Sequence, residues 1–404
     1  MNLSPDQQRA LKAVRRWLAN PNRKQIFRLF GYAGTGKTTI ARELVAGMDN
    51  VMFATFTGKA ALVLKSKGCE PAVTIHSLIY QPKEKSKETL ERLEALIKAQ
   101  EEAPPELRDP KRLKELIFLR DAEKKNLLSP KFSRNPDSPL KELDLLVVDE
   151  VSMVDGQMAQ DLMSFGTPIL CLGDPGQLPP VKGTGYFTQD EPDVLLSKIH
   201  RQAEGDPILE LASRARQGKE LEYGTYGSSR VVPKGQTSPA ELATFDQVLV
   251  GTNKTRHKVN RAIRKALGFN VSGLPVDGDK LICVRNDKET GLLNGSMWRC
   301  LDCKVVDDDV VWLTVTEWGT DNHPLQLTAF RHWFEGREDD LSGWERQEHQ
   351  CFDFGWGVTV HKSQGSQYGT VCILDESHVF RSASRQWLYT GLTRAVDSVV
   401  VIAS

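Results

Sequence analysis

The 404 residues carry 53 Lys and Arg against 53 Asp and Glu, with 40% hydrophobic and 26% charged residues, the profile of a soluble globular chain. At about 150 residues per domain the length provides for two or three domains with a cleft between them, and it excludes a small stapled scaffold. Zero net charge excludes binding of polyanions by bulk attraction but leaves room for a local basic groove.

The opening MNLSPDQQRA lacks the apolar stretch of a signal peptide, and no window approaches the roughly 18 uninterrupted apolar residues of a membrane span. Seven cysteines, mostly unclustered, suit a reducing compartment better than a disulfide framework. The expectation is a cytoplasmic protein without membrane association.

In chain order, Leu11, Val14 and Leu18 mark an amphipathic helix, and the apolar run Ile26-Phe27-Arg28-Leu29-Phe30 leads into a glycine turn. Similar short runs recur at Val51 to Ala54, Leu145 to Val148, Ile169 to Leu172, Val248 to Val250, Val371 to Leu374 and Val399 to Ile402. Runs of this kind separated by helical stretches predict parallel sheets in an α/β architecture. Two segments interrupt the rhythm. Residues 83–134 hold 14 Lys/Arg and 11 Asp/Glu, with Leu90, Leu93 and Ile97, then Leu113, Leu116 and Ile117, forming two helical stripes broken by Pro104-Pro105. Residues 275–350 contain five of the eight tryptophans (Trp298, Trp312, Trp318, Trp333, Trp344) among alternating patterns such as Val310 to Val315, which predicts a small β-rich domain whose tryptophans pack its core, with stacking on bases as their alternative use.

Gly31-Tyr32-Ala33-Gly34-Thr35-Gly36-Lys37-Thr38 fits a phosphate-binding loop, placed after a strand and before a helix as such a loop requires. Glycines let backbone N–H groups turn around phosphate oxygens, Lys37 reaches the β- and γ-phosphates, and the Thr38 hydroxyl suits Mg²⁺. Gly34, Thr35, Gly36, Lys37, Thr38 and Thr39 are therefore the candidate cofactor-binding set for ATP. A second apolar strand ends in Asp149-Glu150; Asp149 is the candidate second Mg²⁺ group and Glu150 the group that polarises water. Asn253-Lys254 is followed by Thr255-Arg256, so the base-reading motif of a GTPase is missing.

The ordered set Gln7, GYAGTGKTT (31–39), FTGKAA (56–61), TIHS (74–77), VVDEVSM (147–153), LGDPGQLPPV (172–181), HRQ (200–202), VTVHKSQGSQY (358–368) and YTGLTRA (389–395) resembles the helicase series of superfamily 1, nearest to its 5′-to-3′ branch of RecD and Dda-type phage helicases. The resemblance spans nearly the whole chain. It implies two RecA-like P-loop motor domains, residues 1–80 with 136–185 and residues 186–274 with 351–404. Residues 81–135 would be a charged helical insertion in the first and residues 275–350 an SH3-like β-rich insertion in the second. It also implies that Gln7 reads the adenine edge, with Gln8 as the neighbouring candidate, that Gln177 senses the γ-phosphate, and that Arg201 and Arg394 complete the catalytic set with Lys37 and Glu150. Thr57, Lys59, Thr74, His76, Ser77, Thr359, His361 and Ser363 have the hydroxyls, imidazoles and cation suited to a sequence-blind phosphate track, although each hydroxyl has a helix cap as its plain alternative.

The expected activity is that of an ATP- and Mg²⁺-dependent DNA helicase, a monomer moving 5′ to 3′ on single-stranded DNA. Two rivals stand beside it. One is a single-stranded DNA translocase that separates strands only with a nuclease or single-strand-binding partner. The other is a slow, nucleotide-regulated binding module.

Overall fold

The computed structural model describes residues 3–82, 88–104, 108–128, 132–180, 185–197, 205–269, 273–287, 290–320, 322–341 and 349–403. Its first sheet has six parallel strands in the order Ala72–Thr74, Val51–Thr55, Leu145–Val148, Ile169–Gly173, Ile26–Gly31, Val194–Leu196. The unbroken apolar runs follow from burial on both faces. Leu145 and Val147 pack with Ala10, Val14 and Ile40 of the helices Pro5–Ala19 and Lys37–Val45. Leu146 and Val148 meet Ile75, Leu78, Ala159 and Leu162 of Ile75–Ile79 and Gly156–Met163 on the other side.

A second sheet runs Gly357–Thr359, Gln247–Val250, Tyr368–Leu374, Ala395–Ala403, Ser229–Pro233, Gly224–Tyr226, parallel except for the hairpin at its last edge. Helices Pro207–Arg216 and Ser384–Leu392 cover one face through Leu211, Ala215, Trp387 and Leu392. This is the α/β architecture of two RecA-like sheets that the sequence led us to expect.

The charged insertion forms two helices, Glu88–Glu102 and Pro110–Leu128, that bury Ile97 and Leu116 and are tied by a Lys124–Glu94 ion pair of 3.1 Å. A short antiparallel pair, Tyr80–Pro82 with Phe132–Arg134, closes its base. The β-rich segment is a five-stranded antiparallel sheet ordered Leu325–Phe330, Val310–Glu317, Met297–Val305, Lys280–Cys283, Phe352–Phe354. An Ala329–Gln350 bridge curls one edge toward the other. Trp333 is buried, and Trp318 packs edge-on against Trp356 at 5.7 Å, while Trp312 stays exposed. Trp344 lies outside the described residues.

Two boundaries differ from the sequence expectation. Val194–Leu196 pairs with Leu29 to Gly31 in the first sheet, beyond residue 185, and Phe352–Phe354 pairs with Leu281 to Cys283 in the β-rich sheet, beyond residue 350. Backbone pairing, which three-residue edge strands do not announce by periodicity, sets both limits. Among the described residues no helix is long and apolar enough to cross a membrane.

The β-rich sheet is clamped to the second motor by buried polar contacts. Arg264, on helix Asn253–Ala266, donates its Nε to both Asp279 oxygens at 3.0 and 3.1 Å and a terminal nitrogen to the Leu274 carbonyl at 2.7 Å. Asn260 exchanges hydrogen bonds with Gly357 and also donates to Phe354. Asp279→Ala leaves the Arg264 charge buried without its counterion, so a loss of about 3–5 kcal/mol is expected in urea unfolding; an unchanged midpoint would show that the junction is not held by this pair.

Candidate functional site

Because the first sheet is parallel, the carboxyl ends of its strands lie along one edge, the usual ligand edge of such sheets. Ile26–Gly31 delivers the glycine loop there, Leu145–Val148 delivers Asp149 and Glu150, and Ile169–Gly173 delivers Asp174 and Gln177. Gly34 and Gly36 adopt φ of +76° and +82°, a conformation that lets the loop fold back before the helix at Lys37 begins. A cavity of about 330 Å³ opens at this edge, with Lys37, Thr38, Asp149 and Gln177 on one wall and Gly365 and Arg394 of the second motor on the other.

Inside it, Lys37 Nζ donates to the Gly31 and Tyr32 carbonyls at 2.6 and 3.2 Å. The Thr38 hydroxyl lies 3.3 Å from Asp149 Oδ2, so a hydroxyl and a carboxylate converge as a hard-oxygen set that fits Mg²⁺. Burial, reinforced by Glu150, pushes the Asp149 carboxyl up from 3.8 to about 6, against the pull of Lys37. Glu150 sits in the left-handed region at φ 55°, ψ 43°, with its N–H donated to Asp149 Oδ1 at 2.9 Å. A non-glycine residue there costs on the order of 1–2 kcal/mol, strain of the kind that gathers at working sites. Gln177 is buried, and its Oε1 has no hydrogen-bond partner among the described residues.

Other expected residues sit differently. Gln7 is buried with a partner at each end of its amide: its Oε1 accepts from Ser4 N at 3.0 Å, and its Nε2 donates to the Thr35 carbonyl at 3.1 Å. In this arrangement it buttresses the loop, with one acceptor and one donor position of its amide taken by protein atoms. Arg394 reaches the cavity wall but spends its nitrogens on Thr390 O, Ser366 O and Thr393 Oγ1. Arg201 lies outside the described residues.

The hydroxyls expected on the track are largely caps. Thr57, Thr74 and Thr359 each accept an N–H three residues on, at the starts of Gly58–Ser66, Ile75–Ile79 and Val360–Ser363. Ser77 is exposed and donates to the Thr74 carbonyl at 2.8 Å. Ser363 corrects the expectation, being fully buried with its hydroxyl donated to Val360 O at 2.7 Å, which removes it from any surface. His76 packs between Tyr80 and Phe132, and His361 against Phe380, where burial lowers its pKa. Lys59 is held by burial at about 8 and lies 4.7 Å over the Tyr368 ring. The two halves of the expected track adjoin, since a Cβ on Gly365 would come within 2.9 Å of Thr57 Oγ1.

The structure adds groups that the motif reading missed. Tyr389, inside the quoted YTGLTRA run, bonds both Ala33 and Asp174. Arg216 stacks 3.7 Å over Tyr32, and Leu209 presses on Gly34. No motif marks Arg216 or Leu209; only the packing of Pro207–Arg216 against the loop brings them in.

Comparison with known proteins accords with this geometry. Residues 2–236 match a family model described as an AAA domain, and residues 354–402 one described as a UvrD-like helicase C-terminal domain. The ATP-dependent RecD2 DNA helicase of Deinococcus radiodurans is 28% identical over 279 residues, covering 63% of this chain and 35% of that protein. An uncharacterised protein of Methanocaldococcus jannaschii is 22% identical over 466 residues, 93% of this chain and 36% of that one. The chain thus spans about a third of the length of these curated relatives. The Pif1 helicase of Candida albicans superposes with a TM-score of 0.50 at 17% identity, covering 100% of this chain and 95% of that one. A structure described as the basis for DNA unwinding at forked double-stranded DNA by two coordinating Pif1 helicases gives 0.51 at 17% identity, covering 99% and 92%. These two likenesses concern the fold.

The raised Asp149 carboxyl carries two pH consequences of opposite sign. Its contribution to folding is fully present below 3.8 and is lost as pH rises through about 6. If Asp149 holds the Mg²⁺ of a bound nucleotide through its carboxylate, affinity should weaken as pH falls through about 6. Titration of a fluorescent nucleotide across that range checks this; a flat affinity would remove Asp149 from the site.

Proposed function

The chain belongs to the AAA domain family, and from that premise we propose that it is a DNA helicase. In this reading it hydrolyses ATP to move 5′ to 3′ along single-stranded DNA and separates strands as it goes. The observation that carries this is the composition of the cavity wall. The phosphate loop of one motor and Gly365, Gln367, Thr393 and Arg394 of the other face the same space, so binding or losing a phosphate there bears directly on how the two motors sit together.

In the proposed cycle Lys37 leaves the Gly31 and Tyr32 carbonyls for the β- and γ-phosphate oxygens. Thr38 and Asp149 would hold Mg²⁺, which would supply positive charge to offset that of the phosphate oxygens. Glu150 orients the attacking water, and the unpaired Gln177 oxygen accepts a hydrogen bond from it. Arg394 exchanges its backbone acceptors for the γ-phosphate as charge redistributes, with Arg201 as its proposed companion. Thr57, Lys59, Thr74, His76, Ser77, Thr359 and His361 are the proposed backbone track; it crosses both motors near the Thr57–Gly365 contact, and the direction of travel rests on the superfamily 1 resemblance. The motor domains and insertions are proposed as the sequence laid them out, with the two corrected boundaries.

Since both motors and Arg394 come from one chain, we take the working unit to be a monomer, and we place it in the cytoplasm, where its free cysteines suit a reducing medium. Strand separation is assigned to the chain itself, not to a nuclease or single-strand-binding partner.

Steady-state ATP hydrolysis with and without single-stranded DNA tests the reading. Stimulation by single-stranded DNA is expected in the wild type. Lys37→Ala should lose at least about 100-fold in turnover while retaining DNA binding. Displacement from 5′-tailed but not 3′-tailed duplex checks direction. Retained turnover in Lys37→Ala overturns the site, and turnover without displacement favours the partner-dependent translocase.

A further inference from the structure

Helix Ser384–Leu392 belongs to the second motor, yet its most polar contacts are made to the first. The Tyr389 hydroxyl accepts the Ala33 N–H at 2.8 Å and donates to Asp174 Oδ2 at 2.7 Å. Both partners matter to the site: Ala33 lies within the phosphate loop, and Asp174 opens the segment that carries Gln177. Tyr389 and Asp174 are buried, at 2% and 3% exposure, so water does not substitute for either bond. Asp174 Oδ1 accepts from Gly176 N at 2.9 Å, which leaves Tyr389 as the donor to the other oxygen. One residue on, Thr390 Oγ1 accepts the Leu178 N–H at 2.9 Å.

The same helix faces the expected DNA track. Trp387 stacks on Phe380 at 5.4 Å with an interplanar angle of 11°, and Phe380 lies 5.4 Å from the His361 ring. The other cross-motor contacts to the loop, Arg216 over Tyr32 and Leu209 against Gly34, are a stacked cation and an apolar touch that tolerate sliding. Hydrogen bonds weaken steeply with distance and angle, and leaving a buried donor and a buried carboxylate short of a partner is costly. Among these contacts the Tyr389 hydroxyl is therefore the most sensitive to the relative position of the motors.

We propose that Tyr389 is a positioning residue that couples the second motor, and through helix Ser384–Leu392 the DNA track, to the phosphate loop and Asp174. It touches no reacting atom. Separation of the motors frees the Ala33 N–H and the Asp174 carboxylate together, and closure recaptures them together, so the loop and the Gln177 segment reach their working positions as one event. The inference rests on the motor reading above.

Tyr389→Phe removes the hydroxyl and keeps the ring. With saturating single-stranded DNA it is expected to lower kcat about 10-fold or more, with KM for ATP within about 3-fold of wild type and a melting temperature within about 3 °C. Asp174→Asn should show the same split, and the double variant should be no slower than the slower single variant, because the bond between Tyr389 and Asp174 is lost in both. Wild-type stimulation in Tyr389→Phe, or losses that add in the double variant, overturns the coupling alone. A loss in KM rather than kcat, or one that tracks a fall in melting temperature, overturns it in favour of a plain packing role. A wild type whose turnover ignores single-stranded DNA overturns the motor reading and the coupling with it.

Discussion

Parallel pairing is the constraint on which the site depends. Strands that run the same way leave all their carboxyl ends on one edge, and the loops that follow Gly31, Val148 and Gly173 have no other place to go. Lys37, Thr38, Asp149 and Gln177 come from segments far apart in sequence and meet because the sheet register brings them together. The apolar runs that make such a sheet are therefore as much a part of the chemistry as the charged residues at their ends. With both faces covered by helices, the strands have little freedom to slip, since a shift of one residue would send Leu145 and Val147 to the face that Leu146 and Val148 occupy.

Burial then sets the electrostatics of that edge. Asp149 and Asp174 are both pushed up by loss of water, with Lys37 drawing each of them back. Lys37 is the cation that acts on both carboxyls and also rests on loop carbonyls in this structure. A phosphate that takes Lys37 changes the surroundings of two carboxyls at once, which ties the ionic state of the site to its occupancy.

The phosphate loop was legible because its fixed positions are chemically restricted: glycines that let the backbone turn, a lysine, a hydroxyl, then a helix. The helical insertion was legible for a different reason, its two apolar stripes interrupted by proline. Other features left no such trace. Ser363 sits in a motif beside Thr359 and His361, and only its side-chain direction in the short helix Val360–Ser363 separates a buried hydroxyl from a surface one. Gln7 kept its place next to the loop but turned both ends of its amide to protein atoms, a choice among hydrogen-bond partners that spacing does not specify. Tyr389 stood inside a quoted motif without a role, because its partners Ala33 and Asp174 are 356 and 215 residues away.

The clamp between Arg264 and Asp279, with the Asn260 contacts beside it, fixes the base of the five-stranded sheet to the second motor, while Leu293 of the same segment lies against Gly58 of the first. A body fixed at its base moves farther at its tip than at its root when the base turns. If the second motor turns in the proposed cycle, the outer strands Val310–Glu317 and Leu325–Phe330, which lie away from the clamped strand in the sheet order, would sweep through a larger arc than the clamped strand. Under that turning the sheet would act as a lever arm, its gain set by the distance of the outer strands from the clamp.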